Sequence, residues 1–577
     1  MSAAPSNRDI AGQCERLADL LEIAGANPFR VRAWRNAGEA IADLSVSLAG
    51  EVAAEADLTR HDHIGHDIAE AIRAYVGEGR LPPLDELAEQ VPPALVELLE
   101  VEGLGPKGVK ALYEQLGVQS LDDLESAARS GRVRALKGFG AKKEQALIDG
   151  VQRLRASEQQ RTRLADAEAL AEPLRAWLAE TPGVERAEIA GSFRRRRETV
   201  GDIDLLVVAD DGTAAMQRLV DYGDVERVVS HGTTRSTVVL SGGLQVDVRA
   251  VPATSLGAAM LYFTGSRQHN VVLRQRALDR DCKLNEYGLY HGDDQVAGDS
   301  EADLYARLGL DWIPPELRED RGEIDAAAAH ALPELNTIDT IRGNLHGHTD
   351  WSDGRVPLET MVEAARERGH DYIAITDHGP RVRVANGLDP DRLRRQADAI
   401  DTVAARYDDI TLFKGIEVDI LADGTLDLPD DVLARLDVVV CSIHYELRRS
   451  RAEQTERVLR AMDNPHFMIW GHPTAREINR RDPIDIDLDR CLAAAAERGI
   501  AVEINAQPKR LDLNDVGARR ALDHGCRLSI NTDAHRPEHF DLVGYGVDQA
   551  RRAWATADDV INTRSVSDLR KILRSRD

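Results

Sequence analysis

Cysteine is scarce in this sequence: five residues in 577, at Cys14, Cys282, Cys441, Cys491 and Cys526, with no close pair. That argues against a disulfide framework or a cysteine-zinc site and suits a reducing cytoplasm. Long apolar runs are also missing. None reaches the ~18 residues needed to span a bilayer, so no membrane segment is expected. The opening "MSAAPSNRDIAGQCERLADLL" is polar and then amphipathic, unlike a signal peptide. Lysine is rare, and none precedes Lys107. The segment before it therefore offers no lysine amine as a nucleophile.

What is present is ordinary for a soluble protein, with 43% hydrophobic and 30% charged residues. The length is too great for one core, and roughly three to five domains are expected. The formal charge of -26 bears on solubility and steering, not on any one groove. Positive charge is locally clustered, as "RRRR" at 194–197, "FRVRAWR" at 29–35, and Lys107, Lys110, Lys142 and Lys143 near glycines. Nucleic acid thus remains a possible partner, and its binding should be steeply salt-dependent.

Along the chain, residues 10–80 read as short amphipathic helices, one of them ending at Gly25. "LLEVEGLGPKGVKALYEQLG" and "VRALKGFGAKKEQALIDG" repeat one pattern: helix, glycine hairpin, helix. Bare glycine amides (Gly103, Gly105, Gly138, Gly140) at a helix N-terminus can reach a phosphate oxygen, and Lys107 and Lys142 add charge there. Such contacts carry no sequence information. A single copy reads equally well as a hairpin that packs locally; two copies favour DNA. A long helical stretch follows at about 155–180. Four strands come next: "ERAEIAG", "DIDLLVVAD", "RSTVVLSGG" and "LQVDVRAV". Residues 255–318 read as helical with a hairpin around "NEYGLYHG", and 319–338, rich in acid and alanine, as a linker. Beyond it short apolar strands alternate with amphipathic helices, the rhythm of a β/α barrel whose chemistry lies at the strand C-termini.

Two constellations carry chemistry. Asp202 and Asp204, two apart on a strand, face one way, and Asp247 takes an inward place on another strand. Three carboxylates on neighbouring strands suit hard divalent cations, Mg2+ or Mn2+. Two such ions activate an attacking hydroxyl and stabilise a leaving pyrophosphate. Gly191 and Ser192 supply a tight turn for a triphosphate, with Arg195 as a charged clamp. These features read as a nucleotidyltransferase. The second set is His346, His348, Asp353, His378, Glu417, His444, His472, Asp533 and His535, nearly all at strand ends. Mixed nitrogen and oxygen donors suit manganese, zinc or iron. Nine donors exceed one ion's needs, so two or three Mn2+ or Zn2+ ions are expected. The closely spaced His61, His63 and His66 read as solvated in preference to a further metal cluster.

"GSFRRRRETVGDIDLLV", "QVDVRAV" and "LYFTGSRQHNVVLR" closely resemble the family X (polymerase beta-like) DNA polymerases. The resemblance implies a palm with Asp202, Asp204 and Asp247 as metal triad and Ser192 and Arg195 on the incoming triphosphate. It places Tyr262 and Phe263 where the sugar is checked, Asn270 at the incoming base and Arg274 toward the template. "NPFRVRAWRNAGEAI" resembles the family's small lyase domain, but the position of the Schiff-base lysine holds Ala71 and a basic neighbour is replaced by Asp67. No lyase activity is therefore expected. The nine-donor set resembles the PHP (polymerase and histidinol phosphatase) superfamily, whose metal clusters hydrolyse phosphoesters. Polymerase followed by PHP is the order of the bacterial and archaeal family X polymerases.

The expected fold class is multidomain α/β. It comprises a helical domain like the lyase domain (1–90), helix-hairpin-helix fingers (91–155) and a nucleotidyltransferase palm with mixed sheet (156–254). A nucleotide-selecting thumb (255–318), the linker (319–338) and a PHP distorted (β/α)7 barrel (339–577) complete it. The family implies filling of short gaps in base-excision repair from dNTPs on gapped or primer-template DNA. It also implies a manganese-dependent 3′–5′ exonuclease and, in some members, activity on abasic sites. A cytoplasmic monomer is expected. The alternatives are a PHP phosphoesterase tethered to DNA by a weak or inactive polymerase half, and a non-catalytic DNA-end binder.

Overall fold

Apolar residues three and four apart (Ile10, Cys14, Leu17, Leu21) put one face of the helix Asn7–Ala24 into a core. The helix stops at Gly25, whose φ of +81° is a conformation glycine adopts without strain. The computed structural model describes residues 7–42, 48–53, 56–61, 63–88, 91–101, 104–136, 138–159, 161–292 and 294–574. Contacts divide the chain into two units. The first holds Met1–Gln160, Asn270–Leu284 and Leu289–Gln295; the second holds Arg161–His269, Asn285–Gly288 and Val296–Asp577.

The first unit is helical through its main segment. Gly105 caps the helix Pro106–Leu116, and Gly138 (φ +89°) and Gly140 precede the helix Ala141–Gln159. Gly103 lies outside the described residues. Ala71 is buried in the apolar core behind the helix His66–Glu78.

The second unit begins with a five-stranded mixed sheet. Its strands are β1 (Arg186–Ile189), β2 (Asp202–Val208), β3 (Val225–His231), β4 (Arg235–Leu240) and β5 (Gln245–Val251), in the order β1-β2-β5-β4-β3. β3 was not anticipated from sequence: it is an exposed edge strand without a buried alternation. The long helix expected near 155–180 is broken. One helix ends at Gln159, Thr162–Arg163 pairs with Thr199–Val200, and a new helix spans Leu164–Ala179.

Seven parallel strands follow, paired in sequence order: β6 (Gly343–Asn344), β7 (Tyr372–Ile375), β8 (Thr411–Asp419), β9 (Val438–Ser442), β10 (Ile469–Trp470), β11 (Ala501–Asn505) and β12 (Leu528–Asn531). A bridge between Gly347 and Ala534 brings the two ends together into a nearly closed barrel. Strands such as "VVVCS" are buried at every position, as a parallel sheet covered by helices requires. His346 and His348 lie just beyond β6, and Ile561–Thr563 is a 3-10 turn.

The stretch 319–338, expected to be a loose linker, is packed at its start. Glu323 is fully buried, 2.7 Å from Nδ1 of His269, and accepts the backbone N–H groups of Asp320 (2.9 Å) and Arg321 (2.7 Å). Its acidic composition serves internal ion pairs, which the sequence does not distinguish from a solvated acidic run.

Candidate functional sites

β1 runs antiparallel to β2, and the chain leaves it through Ala190, whose N–H donates to the Asp204 carbonyl at 2.8 Å. The next residues form a single helical turn, Gly191–Arg194. Gly191 has φ +66°, and a Cβ there would stand 2.5 Å from Asp204 Oδ2. Only glycine fits at this close approach. The turn carrying Ser192 is thereby fixed against the carboxylates.

β2 and β5 are parallel, with Asp204 directly opposite Asp247 and Asp202 opposite Gln245. This register gathers the three carboxylates. Burial, then Asp202 and Asp247, push Asp204 up to about 7. Asp202 is raised by burial and by Asp247. Asp247 goes the other way. Burial works against its charge, but hydrogen bonds from Thr237 (2.6 Å), Arg235 (3.0 Å) and Gln245 (2.9 Å) outweigh it. Mutual repulsion among three oxygen donors fits a site for hard cations.

Arg195, expected over the triphosphate, is largely buried; its Nη1 donates to the Thr264 carbonyl at 2.8 Å and its Nε to Glu319 at 3.0 Å. The partner Glu319 lies in the segment read as linker. Tyr262 and Phe263 pack edge to face on the helix Leu256–Thr264, and Phe263 receives the Arg249 guanidinium at 4.8 Å. Arg249 also favours the charged form of Asp204; it stands in the quoted "QVDVRAV" but was not singled out. Asn270 and Arg274 lie on the helix Arg267–Leu278 and fall in the first unit.

In that unit Lys107 and Lys142 are exposed beside the hairpin glycines. Lys110 is not an outward cation: its ammonium donates to the Ala24 carbonyl at 2.6 Å. Lys143 lies over the Phe139 ring at 4.5 Å. His61 stands 2.8 Å from Glu51 and His66 3.4 Å from Glu70.

The barrel gathers all nine expected donors at the C-terminal ends of its strands. Glu417, inside β8, is the hub. Its Oε1 is 3.0 Å from His472 Nε2 and 3.3 Å from His444 Nε2, and its Oε2 is 2.8 Å from His378 Nδ1 and 3.5 Å from His346 Nε2. Asp533 Oδ1 is 3.1 Å from His348 Nε2. Asp353 stands 3.4 Å from His535 and 3.6 Å from His378. Among the described residues three groups of donors are each close enough to share an ion: His348, Asp353, His378 and His535; His346, His348 and Asp533; His378, Glu417 and His444; His472 falls in none of them. Both ring nitrogens of His348, Nε2 of His346 and Nδ1 of His472 are buried without hydrogen bonds. Buried polar atoms are seldom left so, and ring nitrogens gathered this closely with carboxylates fit bound cations. Burial and neighbouring imidazoles take His348 down to about 3. His444 goes up to about 10 despite burial, through Glu417 and Asp419.

Further carboxylates hold these donors in place. Glu503, fully buried on β11, lies 2.8 Å from His346 Nδ1 and accepts the backbone N–H of His472 at 2.7 Å. Buried Asp377 accepts the N–H (2.9 Å) and hydroxyl (2.7 Å) of Thr349. Both were missed, although a charge inside the apolar run "AVEINA" was a readable signal.

Known proteins share these features piece by piece. Residues 5–81 match a helix-hairpin-helix domain, 95–153 a SAM-like helix-hairpin-helix tandem, 259–319 the DNA polymerase beta thumb and 344–507 the PHP domain. The chain is 36% identical over 574 residues to the DNA polymerase/3′-5′ exonuclease PolX of Bacillus subtilis (strain 168), covering 99% of this chain and 100% of that protein. A probable phosphatase of Thermoanaerobacter sp. (strain X514) is 28% identical over 40% of this chain and 95% of its own length. DNA polymerase lambda of Rattus norvegicus is 26% identical over 55% of this chain and 58% of its own length.

Proposed function

This chain belongs to the family X DNA polymerases that carry a C-terminal PHP domain, and we propose that it fills short DNA gaps while its barrel trims the primer as a 3′–5′ exonuclease. The observation that carries the reading is the presence of two separate cation-suited donor sets in one chain. One is three carboxylates on two parallel strands; the other is five imidazoles and three carboxylates at one barrel mouth, with His472 beside Glu417.

Mg2+ or Mn2+ at Asp202, Asp204 and Asp247, and two or three Mn2+ or Zn2+ ions in the barrel, would supply Lewis acidity at phosphorus and at the attacking oxygen. The chain's own residues do the rest. The Gly191–Arg194 turn offers its backbone N–H groups and the Ser192 hydroxyl to the triphosphate. Asp247, fixed by three hydrogen bonds, stays ionised beside the more basic Asp204. The family resemblance gives Tyr262 the role of limiting room for a ribose 2′-OH, Asn270 that of touching the incoming base and Arg274 that of reaching toward the template. In the barrel Glu503 orients His346, and Asp377 holds the loop that presents His348 and Asp353.

The repair role is gap filling after base excision, in the cytoplasm and as a monomer. With Ala71 buried where the lyase nucleophile would stand, no deoxyribose-phosphate lyase activity accompanies it. The test uses a labelled primer on a gapped duplex with magnesium or manganese. With dNTPs the primer should lengthen to the end of the gap; without them it should shorten from its 3′ end. A protein that does neither overturns the reading.

A further inference from the structure

The segment following Ser192, "FRRRRE", is held by a helix of the C-terminal half, Val543–Arg552. Arg552 is buried to 2% side-chain exposure. One of its amino groups donates to the backbone carbonyl of Arg195 at 2.7 Å and to Glu319 at 3.0 Å; the other donates to Asp515 at 2.8 Å. Glu319 is the same carboxylate that accepts from the Arg195 side chain. One residue on, Gln549 donates to the Arg196 carbonyl at 3.4 Å, and Asp548 accepts from Arg196 Nε at 2.7 Å. Arg196 has φ +56°, a left-handed conformation that a residue with a side chain seldom adopts unaided. Behind it, Tyr545 donates to Glu168 at 2.7 Å.

Two consecutive carbonyls, at the C-terminal end of the turn that carries Gly191 and Ser192, are thus satisfied by one helix of the other half. A buried carbonyl deprived of its donor moves or rehydrates. Here movement would be transmitted directly to Ser192, since the Arg197 N–H donates to the Ser192 carbonyl at 3.2 Å and the Arg195 N–H to that of Gly191 at 3.3 Å.

We propose that Arg552 is a positioning residue for polymerisation: through the Arg195 carbonyl and Glu319 it sets the turn that receives the nucleotide triphosphate. The C-terminal half is then a wall of the nucleotide site as well as the seat of a second activity. The inference rests on the assignment of Gly191 and Ser192 to the triphosphate. Arg552 lies outside the nine barrel donors, so nuclease activity should not depend on it.

The experiment compares full-length wild type, Arg552→Ala, Arg552→Lys and Ser192→Ala in single-nucleotide gap filling and in primer degradation. Lysine keeps the charge but cannot bridge three acceptors in one plane. Both Arg552 variants should raise the KM for dNTP roughly tenfold, with kcat and primer degradation changed less than about twofold. Should Arg552→Ala fail to fold, Arg552→Lys decides the matter by the same KM-to-kcat split. An unchanged dNTP KM in a folded Arg552 variant, while Ser192→Ala raises it, overturns the positioning role alone. An equal fall of extension and degradation also overturns it, as a general loss of structure. An unchanged KM in Ser192→Ala overturns the triphosphate assignment instead.

Discussion

The Glu503 carboxylate lies 2.8 Å from Nδ1 of His346, and both side chains are wholly buried. The arrangement leaves Nε2 of His346 for a cation and fixes the ring's orientation. Loss of such an outer carboxylate typically weakens metal binding by about 10–100-fold. Glu503→Gln should therefore lower manganese retention in equilibrium dialysis and lower nuclease activity with it. Gap filling should persist. Undiminished metal content would remove Glu503 from the site.

Gly191 touches Asp204 so closely that Gly191→Ala would place Cβ 2.5 Å from Oδ2, in a backbone conformation that already disfavours side chains. The turn and the carboxylate must separate. A misplacement of about 1 Å costs on the order of a hundredfold in rate. Primer extension by the variant should fall by about that factor, while primer degradation stays unchanged.

Lys107 and Lys142 are exposed at the two hairpins. Each removed phosphate contact lowers the slope of log affinity against log salt by about one. Lys107→Ala with Lys142→Ala should weaken duplex binding equally for all sequences and flatten that slope by about two. Titration of a fluorescent gapped duplex at several salt concentrations reads both effects. A sequence-dependent loss would contradict the contact assignment.

Glu301 is held by Arg194 (2.8 Å) and by buried Arg318 (2.7 Å). Burial alone would raise its carboxyl, but the two guanidinium groups bring it from 4.5 down to about 2. A depressed carboxyl stabilises the fold fully above its unfolded value, and that contribution is lost as pH falls toward the folded value. It amounts to on the order of 3 kcal/mol. Denaturant unfolding of wild type should weaken between pH 4.5 and about 2. Glu301→Gln should be less stable at neutral pH and less sensitive to acid over that range.

The chemical residues were legible because chain order placed them at strand ends, where an imidazole or carboxylate breaks an apolar run. In "GDIDLLV" and "QVDVRAV" alternation gave the face of each aspartate, and the parallel register that sets Asp204 opposite Asp247 came only with the structure. The joint between the halves was not legible. Arg195 meets Glu319 across 124 positions, and its carbonyl meets Arg552 across 357. No local periodicity carries such a pairing. Lys110 looked like a phosphate contact for the same reason: its partner, the Ala24 carbonyl, is 86 residues away. Acidic composition at 319–338 reads alike whether the charges meet water or buried arginines.

The central claim is that making and breaking of phosphodiester bonds occur at separate cation sites in one chain. It is tested most directly by assaying Asp204→Ala and His348→Ala side by side on one labelled gapped duplex with manganese. The first should abolish lengthening and spare shortening; the second should do the reverse, and a mixture of the two proteins should perform both. Loss of both activities in either folded variant would contradict it.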